Sequence, residues 1–534
     1  MKTALGLGIG LAILAAAAWA NAATYTVATT GDDAAAGTDA APWKTLQFAA
    51  SKVAPGDTVV VKPGNYVGFN LQTAGTQGSP IVFKAEAGVT IDEGNADTND
   101  GVNVENASYV EIAGFTVISK VVGGIRNGLR AAECDHVTFR NNKVQGAQKR
   151  GILTGHCDDL LIEDNRCSGS IDEHGIYVSN SGDRPVIRRN VVFDNNGCGV
   201  HMNGDASMGG DGIISEALVE ANIAYNNGPG GGSGINCDGV QNSMFRNNLI
   251  YNSHASGISM YMGDSADASK NNVIVNNTVL VAADGRWALN IRDGATGNMA
   301  YNNILYSYHS FRGSIDVAAN AFASLTSDYN VVMDRFTNDD STTVMTLAQW
   351  QAAVGKDAHS IVAAPAALFV NEQGGDHHLS DSSPAIDKGT STQAPAGDLD
   401  GNARPMGAAV DIGAYEFCTA GACIVSDGGT PGSGGAGGSG TGGNGTGGSA
   451  TGGSATGGAS GKAGGGQGGS VDSGVADGGG SGGNGVAAMS SGDDSGCGCR
   501  AGAAAPQSSL LALLALIGLM RRRASAPRSQ HGRG

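Results

Sequence analysis

Between Ile171 and Tyr261 the chain concentrates side chains able to move protons, hold cations or grip sugars. IDEHGIYVSNSGD supplies Asp172, Glu173 and His174, and GVHMNGDASMGGDG supplies His201, Asn203, Asp205 and Asp211. GINCDG adds Asp238, and NSHASGISMYMGD adds His254, Tyr261 and Asp264. Histidine exchanges protons near neutral pH, so His174 or His201 could take a proton and Tyr261 return one. Asp205, Asp211 and Asp238 offer the hard oxygen ligands that suit Ca2+. Arg130, Arg150 and Arg292 are the basic candidates around this stretch. Each residue also has a bland reading: aspartate among glycines is usually a turn-former, and a histidine beside glycine in a strand is usually solvated or hydrogen-bonded.

Such residues act together only if the backbone brings them together, and a repeat does so. A short apolar-alternating run followed by an asparagine recurs as VTFRNNKV, LIEDNRC, VIRRNVV, LVEANIA, MFRNNLI, VIVNNTV, MAYNNIL and SDYNVV. The asparagines are Asn142, Asn165, Asn190, Asn222, Asn248, Asn277, Asn303 and Asn330, spaced 23, 25, 32, 26, 29, 26 and 27 residues apart. Repeats of this length mean a solenoid. Apolar residues at every second place indicate strands, so each repeat forms one turn of a β-coil, with turns about 4.8 Å apart. Asparagines at one corner of every turn can then bond into a ladder, as stacked side chains do in other piled strands.

A second strand recurs in each turn, opened by glycine: GILT at Gly151, GIYVS at Gly175, GVHMN at Gly199, GINCD at Gly234 and GISMY at Gly257. With Ile176 and Val178 inward, alternation turns Tyr177 and Ser179 outward. The register places Arg130, Tyr177, His201, Asn236, Ser259 and Asn290 in one exposed column, and Ser179, Asn203, Asp238, Tyr261 and Arg292 in a second. Arg130, Tyr177, Asn203, Asn236, Ser259 and Asn290 are the candidate substrate-binding residues. His174, His201, Tyr261 and Arg292 are the catalytic candidates. The 32-residue spacing before Asn222 implies a loop over this face, where function often sits.

These motifs resemble the right-handed parallel β-helix family, the fold of pectate lyases, chondroitinase-B-like lyases and related polysaccharide enzymes. PWKTLQFAASKVAPGDTVVVKPGNYVG resembles that family's opening, a short amphipathic helix capping the coil. The fold implied is all-β, a single-stranded right-handed parallel β-helix. The resemblance implies β-elimination at a uronic acid, with a neutralised carboxylate, Ca2+ and a base. Pectate-lyase-type members often use lysine or arginine as base. The two columns carry no lysine from Gly151 to Arg292, a departure that counts against elimination. Hydrolysis by carboxylates such as Asp172, Glu173, Asp205 and Asp238 is the other chemistry. It ranks lower, because the NTD, DD and GHG set of polygalacturonases is missing.

The ends speak to location. Residues 1–22 read as a secretory signal: Lys2, an apolar Leu5–Trp19 centre and the small-residue site Ala20-Asn21-Ala22. Residues 23–335 form the β-helix and 336–426 a terminal module that caps its last turns. Within the module, SPAIDKGT and DLDGNARPMGAAVDIGAYEF resemble a module found in surface proteins with varied C-terminal anchors. Cys418 and Cys423 are spaced for a local disulfide, whereas Cys134 and Cys157 should sit one above the other, bridged or merely stacked. Residues 427–496 are a Gly/Ser-rich flexible tether. In 497–534, Cys497 and Cys499, the apolar Leu510–Met520 and Arg521-Arg522-Arg523 resemble the C-terminal sorting signal of myxobacterial surface proteins; counted from Ala501, the apolar stretch reaches membrane-spanning length.

A net charge of −17 argues against nucleic acid and anionic membrane surfaces as partners. The expectation is an exported, surface-held protein acting on acidic polysaccharide as a lyase-like enzyme, with Ca2+ as a possible cofactor. A non-catalytic carbohydrate-binding or adhesin-like role is the rival, and a self-assembling surface layer the third reading.

Overall fold

The computed structural model describes residues 22–338, 343–419 and 424. The chain winds as a parallel β-coil with three long sheets of 12, 11 and 12 strands. One turn runs from Val137–Arg140 in the first sheet, through Lys143–Gln145 in another, to Arg150–Asp158 in the third, and the next turn starts at Leu161–Glu163. The sheet built from Phe69–Leu71 to Phe336–Thr337 carries most of the candidate residues and is called the wall below.

The asparagine ladder is present as expected. Asn142, Asn165, Asn190, Asn222, Asn248, Asn277, Asn303 and Asn330 are all buried. Each side-chain oxygen from Asn165 to Asn330 accepts from the amide of the preceding ladder asparagine, for example Asn190 Nδ2 to Asn222 Oδ1 at 3.0 Å and Asn222 Nδ2 to Asn248 Oδ1 at 3.0 Å. The same oxygens accept backbone N–H groups, so the ladder satisfies the main chain where it leaves the sheet. The residue before each rung is left-handed, including Arg189 (φ 53) and Ala221 (φ 54), which lack the side chains that favour that region. The glycines that open the wall strands are required by packing. A Cβ at Gly175 would lie 2.0 Å from Val192 Cγ1, and one at Gly257 2.1 Å from Val279 Cγ1.

Valine, isoleucine and phenylalanine fill one continuous core. At its start the helix Leu46–Ala50, capped by the Thr45 side chain, buries Leu46, Ala49 and Ala50. At its far end the helix Leu347–Val354 buries Leu347 and Trp350, and Trp350 stacks on Phe336. Both coil ends are therefore covered, as a solenoid needs. The outer face of the first sheet alternates in charge through Arg140, Glu163, Arg188, Glu220 and Arg246 on successive turns, with ion pairs such as Arg188–Glu163 and Arg246–Glu220 at 2.8 Å. That face neutralises itself.

Beyond the capping helix, Pro365–Phe417 lies along the coil's flank and not over its last turn. Asn247 Nδ2 donates to Gly397 O, Asn276 Nδ2 to Asp411 O and Gly413 O, Asn302 Nδ2 to Thr390 O, and Ala414 N to Thr278 Oγ1. Leu368, Phe369, Leu379, Ala385 and Ile412 bury against Leu280, Ile304 and Val331. Within residues 336–426, then, Leu347–Val354 covers the coil's end while Pro365–Phe417 binds sideways. Cys134 and Cys157 are register partners with unbridged thiols. Cys418 is disulfide-bonded; Cys423, the signal sequence, the tether and the sorting tail lie outside the described residues. Among the described residues no helix is long and apolar enough to cross a membrane.

Candidate functional site

The wall register brings together the residues that the repeat predicts. Arg130, Leu153, Tyr177, His201, Asn236, Ser259, Asn290 and Asp316 pair in succession. Asn70 and Asn103 extend the column at its start. The second column runs Ser179, Asn203, Asp238, Tyr261, with Arg292 beside Tyr261 because its N–H bonds Met260 O.

The column is far less exposed than the alternation suggests. His201, Asn236, Ser259, Asn290 and Asp316 are buried, as are Asp238 and Tyr261. Turns this close let each side chain cover the next, and loops add to it. Ser233 Oγ bonds Ser259 Oγ at 2.9 Å and Asn236 Oδ1 at 3.2 Å. Asn236 Nδ2 donates to Tyr261 Oη at 2.7 Å. Asn203 Nδ2 donates to Tyr177 Oη at 3.2 Å, and Arg130 Nη1 donates to Asn103 Oδ1 at 2.6 Å. Arg292 pairs with the buried Asp316 at 3.1 Å. Asn290 Oδ1 is a buried acceptor with no partner among the described residues.

At the centre, His174 Nε2 and His201 Nδ1 lie 3.0 Å apart. The His201 ring stacks on Tyr177 at 4.8 Å, and the Arg150 guanidinium lies 5.2 Å from the Tyr177 ring centre. Arg150 also pairs with Glu173, which holds Lys149 at 3.3 Å. Burial, followed by the charge of Arg150, pushes His201 down to about 3. Burial also drives His174 well below its ordinary value, helped by His201 and Arg150. Both imidazoles are therefore neutral at pH 7. Burial raises the Tyr177 phenol to about 12 and the Tyr261 phenol well above its ordinary value.

His174, one of the two candidate bases, is engaged by the main chain of the next turn. The ring is buried, and its Nδ1 accepts the Cys198 N–H at 3.0 Å. Cys198 is the neighbour that strand alternation could not reveal, since it precedes its strand in the glycine turn. His174, Cys198 and His201 are also the one set of three among the described residues whose ligand-type atoms lie within 4.8 Å of one another.

The three calcium candidates do not converge. Asp238 accepts from Gly263 N, Asp264 N and Ser265 Oγ at 2.8, 2.7 and 2.5 Å. Asp205 Oδ1 accepts from Ser207 N and Oγ, and Asp211 Oδ1 from Ile213 N. All three organise turns. Asp264 is raised by burial and then by the Asp238 and Asp205 carboxylates. Asp211 acts on Asp183 instead.

A family profile described as a Pel9A-like, right-handed β-helix region matches residues 25–167, and a second, a right-handed β-helix region, matches residues 170–334. The chain is a right-handed β-helix protein. Solved structures similar to this β-helix include pectate lyase Pel9A, at 16% identity and TM-score 0.50, covering 74% of this chain and 96% of that one. An alginate lyase from Paenibacillus sp. str. FPU-7 matches at 18% identity and TM-score 0.39, covering 55% and 97%. PfbA, a surface adhesin of Streptococcus pneumoniae, matches at 12% identity and TM-score 0.40, covering 55% and 83%. At these identities the likeness is one of fold. No curated protein matches the β-helix by sequence.

Proposed function

We propose that this is an exported, surface-held protein that binds an acidic polysaccharide along the wall and cleaves it by β-elimination at a uronic acid. The observation that carries the reading is the unbroken column from Asn70 to Asp316, which meets a chain lying along the axis with one residue per ~4.8 Å step. Arg130 stands on it, with Arg150 and Arg292 beside it, in a chain whose overall charge is −17. The Pel9A-like profile matches the part of the coil that carries Arg130 and Arg150. Arg292 and Tyr261, neighbours across one turn, are the pair left for proton transfer once the histidines are set aside.

Binding without turnover is the second reading. It is favoured by one observation: both wall imidazoles are neutral through burial, and both phenols resist ionisation. The test is incubation of the full chain with pectate, alginate and glycosaminoglycans, with calcium or chelator, following the absorbance of unsaturated products. Absorbance growth lost in Arg292→Ala and Tyr261→Phe supports elimination. A saturable binding isotherm with no product selects the second reading. Neither binding nor product on all three defeats the proposal.

A further inference from the structure

We propose that His201 presents a permanently protonated Nε2 to an oxygen acceptor of the bound saccharide, and that His174 enforces this by fixing the tautomer. The inference rests on the polysaccharide reading above and gives the central wall residue a role opposite to that of a base. It follows from which atoms can carry protons. The Cys198 backbone N–H can only donate, so His174 Nδ1 must accept and is bare. A neutral imidazole with a bare Nδ1 carries its proton on Nε2. That proton points across 3.0 Å to His201 Nδ1, which must in turn be bare. His201 is then left with its proton on Nε2.

No step in this relay can be reversed without placing two protons in one contact or stripping an imidazole to its anion. His201 therefore cannot receive a proton at Nδ1, which is blocked, or at Nε2, which is filled. His201 Nε2 is buried and has no hydrogen-bond partner among the described residues. An unmatched buried donor is a cost, and a ligand acceptor would remove it. The flanking column members are Tyr177, stacked on the ring, and Asn236 on the next turn. The charged groups packed nearby are Arg150 and Glu173. The Arg150 guanidinium favours neutral rings, so the tautomer holds across the neutral range. A neutral imidazole donating to developing negative charge is a known way to stabilise an enolate-like species, and elimination at a uronic acid forms one. In the binding-only reading the same N–H recognises a carboxylate or hydroxyl oxygen.

The relay also decides against a transition-metal site at His174, Cys198 and His201. A metal on His174 Nε2 would require that nitrogen bare, and Nδ1 is already bare against the Cys198 N–H. Ligating histidines instead donate their second nitrogen to a carbonyl or carboxylate.

The experiment is nitrogen NMR on the full chain carrying 15N-histidine, with His174→Gln and His201→Gln variants used to assign the two rings. The expected result is an Nε2–H tautomer for both rings, unchanged from pH 5 to pH 8, and unchanged by added Zn2+. An Nδ1–H signal at His201, titration in that range, or a Zn2+-induced shift overturns the relay whether or not a saccharide binds. The ligand arm uses a polygalacturonate oligosaccharide and an alginate oligosaccharide. His201→Gln, which keeps an N–H near the same place, should retain binding within about threefold, whereas His201→Ala and His201→Glu should lose at least tenfold. If turnover is found, His201→Gln should keep at least a tenth of it, a result a base could not give. Equal loss in His201→Gln and His201→Ala, with wild-type binding intact, overturns the donor role. No wild-type binding, with the tautomers as expected, overturns the polysaccharide reading and leaves the relay standing.

Discussion

Replacing Asn222 by alanine removes a rung from the middle of the ladder, and the cost can be worked from its bonds. Asn222 Oδ1 accepts from Asn190 N and Asn190 Nδ2, both at 3.0 Å, while its Nδ2 donates to Ile187 O at 2.8 Å and to Asn248 Oδ1 at 3.0 Å. Asn248 Oδ1 keeps its bond from Asn222 N. Two buried groups lose their partners, the Asn190 N–H and one Asn190 amide proton, whereas the Ile187 carbonyl keeps its place in the sheet ladder with Glu220. At about 1–2 kcal/mol for each unsatisfied group, the variant should lose about 2–4 kcal/mol. Asn222→Asp should cost at least as much at pH 7, because it sets an acceptor against two acceptors. It should recover in acid, since the introduced carboxyl, raised by burial, contributes stability only where it is protonated. The assay is urea unfolding of the full chain, with hydrogen exchange read over Leu218–Tyr225 to catch unfolding confined to a few turns. The exposed Asn65→Ala is the control and should stay within about 0.5 kcal/mol. A loss below about 1 kcal/mol for Asn222→Ala would refute the claim that the ladder satisfies the corners.

Three further outcomes are expected. His378 is held between Asp376 at 2.6 Å and Asp400 at 2.8 Å, and these bonds raise it to about 9, the Asp400 bond most; its contribution, on the order of 1–2 kcal/mol after allowing for partial exposure, is full below pH 6.5 and disappears as pH rises through 9, which thermal melts from pH 6 to 10 would reveal as a slope absent in His378→Gln. Arg404 and Glu416 form a fully buried pair, so Arg404→Met should cost about 3–5 kcal/mol and expose Pro365–Phe417 to protease before the coil, as peptide mass mapping would show. Ala221→Gly relieves a left-handed alanine and should stabilise by about 0.5–1 kcal/mol, seen as a higher urea midpoint.

The coil was legible because its two signals are periodic and local. Alternation fixed which side of a strand faces the core, and the asparagines marked one corner per turn. Column membership followed, and Tyr177, His201, Asn236, Ser259 and Asn290 stand in file. Burial of that file was not legible, because alternation says where a side chain points and not what covers it. Leu153 and Asp316 went unread as column members, since Leu153 is the apolar member of GILT in a polar file and Asp316 lies beyond the last glycine-opened motif. The site's chemistry was hidden for a sharper reason. His174 and His201 looked like bases by type, but the backbone N–H of Cys198 settles their protons, and main-chain direction leaves no mark in composition. The sideways seat of Pro365–Phe417 was likewise hidden, because its partners Asn247, Asn276 and Asn302 read as ordinary turn residues.

That lateral seat has a mechanical consequence. A pull arriving through Cys418 would meet bonds spread over turns carrying Asn247, Asn276, Thr278 and Asn302. These contacts share load in shear, where all must yield nearly together, and so resist better than a terminal turn peeled away strand by strand. A molecule held at one end against flowing surroundings would gain most where this one is fastened.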